Sequence, residues 1–516
     1  MAVFVGCDLG TTGSKAAVVA DDGTLLGQAA EEVPLRRPGS GLVEQDMLEI
    51  ESSAHRVVRG ALADAGSPRR VAAVAFSSQM SGVGTIDAGF APATRYDSWL
   101  DTRCEPYIRQ MAEHADRITE LSGCPPTYSH GPKLLYWRTE HPEAWSRIAR
   151  FVVPSAFVAG RLAGMRSADQ AYLDRTYLHF TNLADNRSGE WSNELLSAFD
   201  LDGEKLPRLV DPTDVIGEVD AEGAERSGLP RGTPIAAGAG DTTAAALGAG
   251  LVVPGRVFDV AGTASVLAMC LAEFRPDVEH RTLMACRGVA PGTFLSLAFI
   301  NGGGLALRWL RDEIASDLAE HPDAYERLVK LAEAVEPGSE DLLWFPHLQG
   351  RVLPPEPYAR GAWVGLTSRH GRGHLVRSVL EGIAYQYAEW AQLATAADDR
   401  LHETRVLGGG ATSRLWNQIK ADVLGIPWVP TLEPECGIVG DALIAAASTG
   451  HVDDLAGTAD TWQRTGVPVE PQADAHERYR RLVDAYRVLS ASLTPVFDRL
   501  GGSATGAGPV TAGKER

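Results

Sequence analysis

One phrase occurs twice in this chain. VFVGCDLGTTGSKAAVVA, near the amino terminus, reads as an apolar strand, an Asp, a Gly-Thr turn and a second apolar strand, and about 250 residues later RVFDVAGTASVLAMC repeats that order. Asp8, Gly10 and Thr11 are thereby matched by Asp259, Gly262 and Thr263. A single strand-turn-strand piece cannot cover both faces of its own sheet, so the recurrence predicts two α/β units, each a sheet with helices packed on it. The seam falls in GLVVPGR, from Gly250 to Arg256, which divides the chain into 1–250 and 251–490. A 491–516 extension follows, expected to be disordered at least from about residue 501 because GGSATGAGPVTAGKER is small and polar.

The length of 516 residues suffices for two such cores. Lys and Arg number 48 against 67 Asp and Glu, a formal charge of -19, so the chain is repelled by nucleic-acid phosphates and anionic membranes, and neither is expected as a partner. No stretch approaches the roughly 20 apolar residues of a spanning helix. MAVFVGCDLG has neither a basic n-region nor a cleavage site, so the expected location is the cytoplasm. Cys7, Cys104, Cys124, Cys270, Cys286 and Cys436 form no CxxC or Cys/His cluster, which argues against a disulfide framework or a zinc site and for reduced, mostly buried thiols.

In the second half, apolar residues at 376, 379, 380, 383, 387 and 391 mark one face of a helix over His374 to Ala394. RVLGGGATSRLWNQIKADVLG and NGGGLALRWLRDEI each read as a glycine turn opening a helix.

Several of these turns carry chemistry beside a plainer structural reading. In DLGTTGSK, successive amides and hydroxyls can wrap an anion, Lys15 can add a point charge and Asp8 can hold a hydrated Mg²⁺, although the same string also makes an ordinary hairpin. Neither GxxxxGK[ST] nor GxGxxG occurs, so phosphate binding would use another architecture. In GAGDTTAAALGAG, Asp241 is a lone acid in a run of small residues, open to two roles: helix N-cap, or general base for a substrate hydroxyl. SSQMSGVGTID and RYDSWLDTR place Trp99, Asp101 and Arg103 near Gln79, Met80 and Ser81, either as a sugar site with a stacking ring or as a surface loop with one packed Trp. LGGGATSRLW brings backbone close to a flat base, or simply reverses the chain.

Taken in order, DLGTTGSK, SQMSG, GAGDTTAAALG, AGTAS, NGGG, GAWVGLTSRHGRGHLVRSVLE and LGGGATSRLWNQIKAD resemble the FGGY carbohydrate kinases from Val3 to about Gly450. The segment Gly361 to Glu381 fits the family's second signature; around GPKLLYWRTEHPE the first fits more loosely, with His130 in place of a small residue and Trp137 displaced by one. The resemblance implies an α/β fold of two actin-like (ribonuclease-H-like) domains with an interdomain cleft in which MgATP and a sugar meet. It implies Asp241 as catalytic base and Asp8, Thr11, Thr12 and Lys15 as the phosphate and Mg²⁺ turn. Gly262 and Thr263 then form the second phosphate turn, Gly409, Gly410 and Ala411 the adenosine-side turn, and Gly302 also binds the nucleotide. Gln79, Met80, Ser81, Trp99, Asp101 and Thr242 would face the sugar. The branch that phosphorylates xylulose is closest in pattern, but carries His at the position of Ser81 and Asn at that of Thr242. The expected reaction is transfer of the γ-phosphoryl group of ATP to a hydroxyl of a ketopentose such as xylulose, with another sugar or polyol as the alternative and a non-kinase actin-like ATPase behind both. ATP and the sugar are the expected partners, with a homodimer left open.

Overall fold

The computed structural model describes residues 2–67, 70–262, 264–395 and 400–502, so Thr263 lies outside the described residues. The chain forms two compact units. The first comprises Met1–Arg256, Met269–Ser296 and Thr431–Thr465, and the second Val257–Ala268, Leu297–Pro430 and the chain from Gly466 onward.

In the first unit, strands Val215–Glu218, Pro234–Ala236, Ala73–Ser78, Val3–Leu9, Gly13–Ala20 and Leu25–Glu32 lie side by side in that order, and Ala239–Gly240 also pairs with Ala73–Ser78. Alternate residues feed two cores, as the period of two in a strand requires. Val3, Val5, Cys7 and Leu9 point to one layer with Ala16 and Val18, where helices Met47–Asp64 and Pro154–Leu162 pack. Phe4, Ala17 and Val19 point to the other, against helices Asp241–Gly248 and Cys436–Ser448. Both faces are covered, so these strands are apolar almost throughout.

The helix Cys436–Ser448 explains why the units do not follow a single cut at residue 250. It is built of small residues, and a Cβ on Gly440 would lie 1.9 Å from the carbonyl oxygen of Ala244, while one on Gly6 would lie 2.2 Å from that of Ile438. Only glycine lets the helix come this close to both the strand and the neighbouring helix. The segment Thr431–Thr465 is thereby held in the first unit.

In the second unit, strands Phe294–Ile300, Ser265–Leu271, Arg256–Ala261, Glu403–Leu407 and Trp428–Pro430 follow one another across the sheet. The helix expected from His374 runs over Arg372–Ala394 and packs on helices Ala324–Glu333 and Arg414–Leu424. Of the extension expected from residue 491, with disorder from about 501, the described part is helical: helix Ala473–Gly502 carries the chain through residue 502, and residues 503–516 lie outside the described residues. Phe497 anchors this stretch of the helix, being buried and stacked on Phe345 at 5.9 Å between ring centroids. All six cysteines are free and buried.

Candidate active site

The sheet of the first unit sets the site by register. Asp8, the penultimate residue of its strand, lies opposite Lys15 in one neighbouring strand and Ser77 in the other, and Ser77 in turn lies opposite Ala239, two residues before Asp241. Three stretches distant in sequence, around residues 8–15, 77 and 239–241, thus meet at one end of the sheet, where a ligand reaches strand termini.

Asp241 is not a helix cap. Gly240 holds that position, and Asp241 is the first residue of helix Asp241–Gly248. Its Oδ1 accepts from the Thr242 backbone N–H at 2.6 Å and from the Thr242 hydroxyl at 3.1 Å, so both bonds fall on one of its two oxygens. Burial, and then the nearby charge of Asp8, push its carboxyl up to about 7. Asp8 is itself raised, first by burial, against the lowering effect of its hydrogen bond with Ser77.

A third carboxylate completes the cluster. Asp441, fully buried at the glycine-rich start of helix Cys436–Ser448, lies 2.8 Å by its Oδ2 from the Ser77 hydroxyl, which is also 3.0 Å from Asp8 Oδ1. Its Oδ1 is buried with no hydrogen-bond partner among the described residues, and burial followed by the charge of Asp8 raises its carboxyl well above the usual range. Sequence reading passed over Asp441, although GDALIAAAS carries the same signal as GAGDTTAAALG: one acid in a small-residue helix.

Thr11, expected on the phosphate turn, meets Gln79 and Trp99, expected to face the sugar. The Trp99 indole N–H donates to Thr11 Oγ1 at 2.8 Å, and the Thr11 hydroxyl lies 3.5 Å from Gln79 Oε1. Gln45, which the sequence did not mark, accepts from Gln79 at 2.6 Å and donates to the Thr11 carbonyl at 3.1 Å. Thr12 is exposed on the same turn. Met80 lies against Gly240, beside Asp241, where a Cβ would be 2.4 Å from its terminal methyl. Ser81 sits in the left-handed region at φ 66° and donates to the Tyr128 carbonyl at 3.1 Å. Lys15, expected as a free phosphate charge, pairs with Glu435 at 3.0 Å in a partly exposed contact that an incoming anion can replace.

Asp101, which the resemblance assigns to the sugar face, is engaged within the protein. It is fully buried, accepts from the Val43 N–H at 2.6 Å and forms a fork with Arg103, whose guanidinium also meets Glu44 and Asp97. Both of its oxygens accept from Arg103, two residues further along the loop that follows Trp99.

The second unit contains a cavity of about 940 Å³ lined by Gly262, Gly304, Gly409, Gly410 and Trp416 among others. Gly302 caps helix Gly303–Trp309 at φ 105°, and the Gly304 N–H donates to the Gly262 carbonyl at 3.1 Å. Gly409, Gly410 and Ala411 form a 3₁₀ turn, with the helix starting only after the Ser413 cap. Gly410 has no room for a side chain, since a Cβ there would lie 2.6 Å from Ala261 and 2.7 Å from Trp416.

The models of the FGGY carbohydrate-kinase N-terminal and C-terminal domains match residues 3–248 and 259–449. The chain belongs to the FGGY family of carbohydrate kinases. It is an ATP-dependent sugar kinase with the two-domain, actin-like α/β fold of that family. A gluconokinase of Bacillus subtilis (strain 168) is 26% identical over 513 residues, 96% of this chain and 97% of its own. A xylulose kinase of the same organism is 27% identical over 497 residues, 94% of this chain and 96% of its own. Among solved structures, the xylulose kinase of Rhodospirillum rubrum superposes on this kinase with a TM-score of 0.89 at 27% identity, covering 96% of this chain and 99% of that one. Among the described residues no helix of this kinase is long and apolar enough to cross a membrane.

Proposed function

We propose that this kinase transfers the γ-phosphoryl group of MgATP to a hydroxyl of a neutral ketopentose such as xylulose, with Asp241 as general base. The observation that carries the reading is the state of Asp241: both bonds from Thr242 fall on one of its two oxygens, and the carboxyl is poised at about 7. A base whose affinity for protons matches the working pH takes the hydroxyl proton most effectively as the oxygen attacks phosphorus. The proton passes to Asp241 as the new P–O bond forms and ADP departs. Thr11, Gln79 and Trp99 supply neutral donors, acceptors and a partly exposed ring, groups that suit sugar hydroxyls rather than a charged ligand.

Among the described residues, no group of three or more His, Cys, Asp or Glu side chains is placed to hold a metal ion by itself. The donor chemistry nevertheless fits Mg²⁺, which takes one or two carboxylates and fills its remaining positions with water and phosphate oxygens. Asp8, half-buried and crowded by other carboxylates, would hold it, and the ion would supply charge neutralisation to the transferring phosphoryl group. Gly262, Gly302, Gly409, Gly410 and Ala411 would receive the nucleotide, and the proposal extends to Thr263.

The test is an ADP-release assay against xylulose, ribulose, gluconate, pentitols and glycerol. Highest kcat/KM for xylulose or ribulose supports the ketopentose reading. Highest kcat/KM for gluconate, the substrate named for one relative, overturns it and leaves the role of Asp241 standing.

A further inference from the structure

A buried lysine stands directly behind the sugar-facing loops. Lys133, in helix His130–Glu140, is 0% exposed, and its ammonium donates to the carbonyl oxygens of Ser81 at 3.1 Å, Ser98 at 2.8 Å and Tyr128 at 2.8 Å. An ammonium has three hydrogens, so the three carbonyls saturate it. None of its hydrogen bonds goes to a carboxylate. Burial lowers its proton affinity, and the charges of Asp97 and Asp101 oppose that effect. Breaking such a set strands a buried charge or three carbonyls, so the contact is costly to lose.

The three carbonyls belong to three separate loops. Ser81 follows Gln79 and Met80 and is held in the left-handed region, a conformation that a non-glycine residue keeps only under constraint. Ser98 precedes Trp99, whose indole reaches Thr11. Tyr128 accepts from both Lys133 and the Ser81 hydroxyl, which ties the first loop to the third.

We infer that Lys133 is a positioning residue for sugar selectivity: one ammonium fixes the mutual spacing of the loops that present Ser81 and Trp99, and so sets which hydroxyl pattern the site accepts. Lys133 does not touch the sugar and takes no part in phosphoryl transfer. The inference rests on the proposed sugar site, not on the identity of the sugar.

The experiment compares Lys133→Met and Lys133→Arg with the parent enzyme. Methionine keeps the stem and removes the donors; arginine keeps the charge but presents a planar fork in place of three tetrahedrally spread hydrogens. KM and kcat are measured for ATP and for xylulose, ribulose, gluconate, ribitol and glycerol. Each variant should raise KM for the best sugar by at least about tenfold and compress the ranking among sugars, with KM for ATP within about twofold of the parent. If the best sugar is not a ketopentose, KM is read on that sugar, so failure of the ketopentose reading does not decide the role of Lys133. Should the methionine variant not fold, the arginine variant carries the test. Unchanged sugar KM and ranking in a folded variant, or an equal loss toward ATP and sugar, overturns the inference.

Discussion

Asp8 and Asp259 stand in two copies of one phrase, each shortly before a glycine turn, and the folded chain surrounds them with different neighbours. Asp259 is fully buried against Lys420 at 2.5 Å, receives the Tyr387 hydroxyl at 2.8 Å and lies 3.3 Å from the Trp428 indole nitrogen. The Lys420 ammonium in turn rests 3.9 Å from the centre of the Trp416 ring. Charge in the second unit is neutralised from within, and Trp416, one wall of the large cavity, is braced by it. Asp8 has Ser77, Asp441 and Asp241 around it, and the nearby cation Lys15 is engaged with Glu435. Repetition of a backbone motif therefore does not repeat its chemistry: one copy is stapled shut, and the other keeps a charge imbalance that a ligand must answer.

The sharpest way to test this contrast is Asp241→Asn, which should lower kcat by at least ~100-fold with little change in nucleotide affinity, because general-base catalysis is worth about 10²–10⁴. Steady-state kinetics with the best sugar, alongside nucleotide titration, read this out; near-normal turnover would dissolve the distinction between the two copies. In the second copy, Lys420→Met should cost about 3–5 kcal/mol of stability by leaving Asp259 buried and unpaired. Denaturant unfolding measures it, and a stability equal to the parent's would mean that the pair is not the staple described.

Asp8→Asn should act in the opposite sense on stability. Raised carboxyl pKa values in the folded state mean that the native form prefers these groups protonated, so their favourable contribution is full at low pH and is lost as pH rises through the folded value. Asp8→Asn and Asp241→Asn should therefore melt above the parent at pH 8, with the gain shrinking below pH 7 for Asp241 and vanishing near pH 4. Melting scans at pH 8, 6 and 4 check the trend, and Asp8→Asn should also raise the Mg²⁺ needed for half activity. The kcat/KM of the parent for its best sugar, which reports the free enzyme, should fall as pH drops through about 7, where Asp241 takes up its proton.

The smallest effect concerns selectivity. Ser81→His with Thr242→Asn should change the preference between xylulose and other sugars by about 1–3 kcal/mol, since an altered hydrogen-bond partner for one hydroxyl is worth about that much. An identical ranking in the double variant would exclude both positions from sugar readout.

Sequence alone determined much of this kinase. The repeated strand-turn-strand phrase, the helical period from residue 376 to 391 and the glycine turns are local patterns, and local sterics and apolar spacing fix them wherever they fold. Asp241 was visible because it is a lone acid among small residues, Gln79 and Trp99 as a polar group and a ring near strand ends, and Thr11 as part of a Gly-Thr turn. The tertiary structure decided what a carboxylate is for. Asp101 and Asp259 have the same chemistry as Asp8 and Asp241, but Arg103 and Lys420 occupy their oxygens, and those partners come from loop geometry and from a helix 161 residues away. Asp441 joins Asp8 only because Gly6 and Gly440 let a helix more than 400 residues distant in sequence close onto the first strand. Electrostatic environment is set by distance in space and by exclusion of water, and neither quantity is written at any one position of the chain.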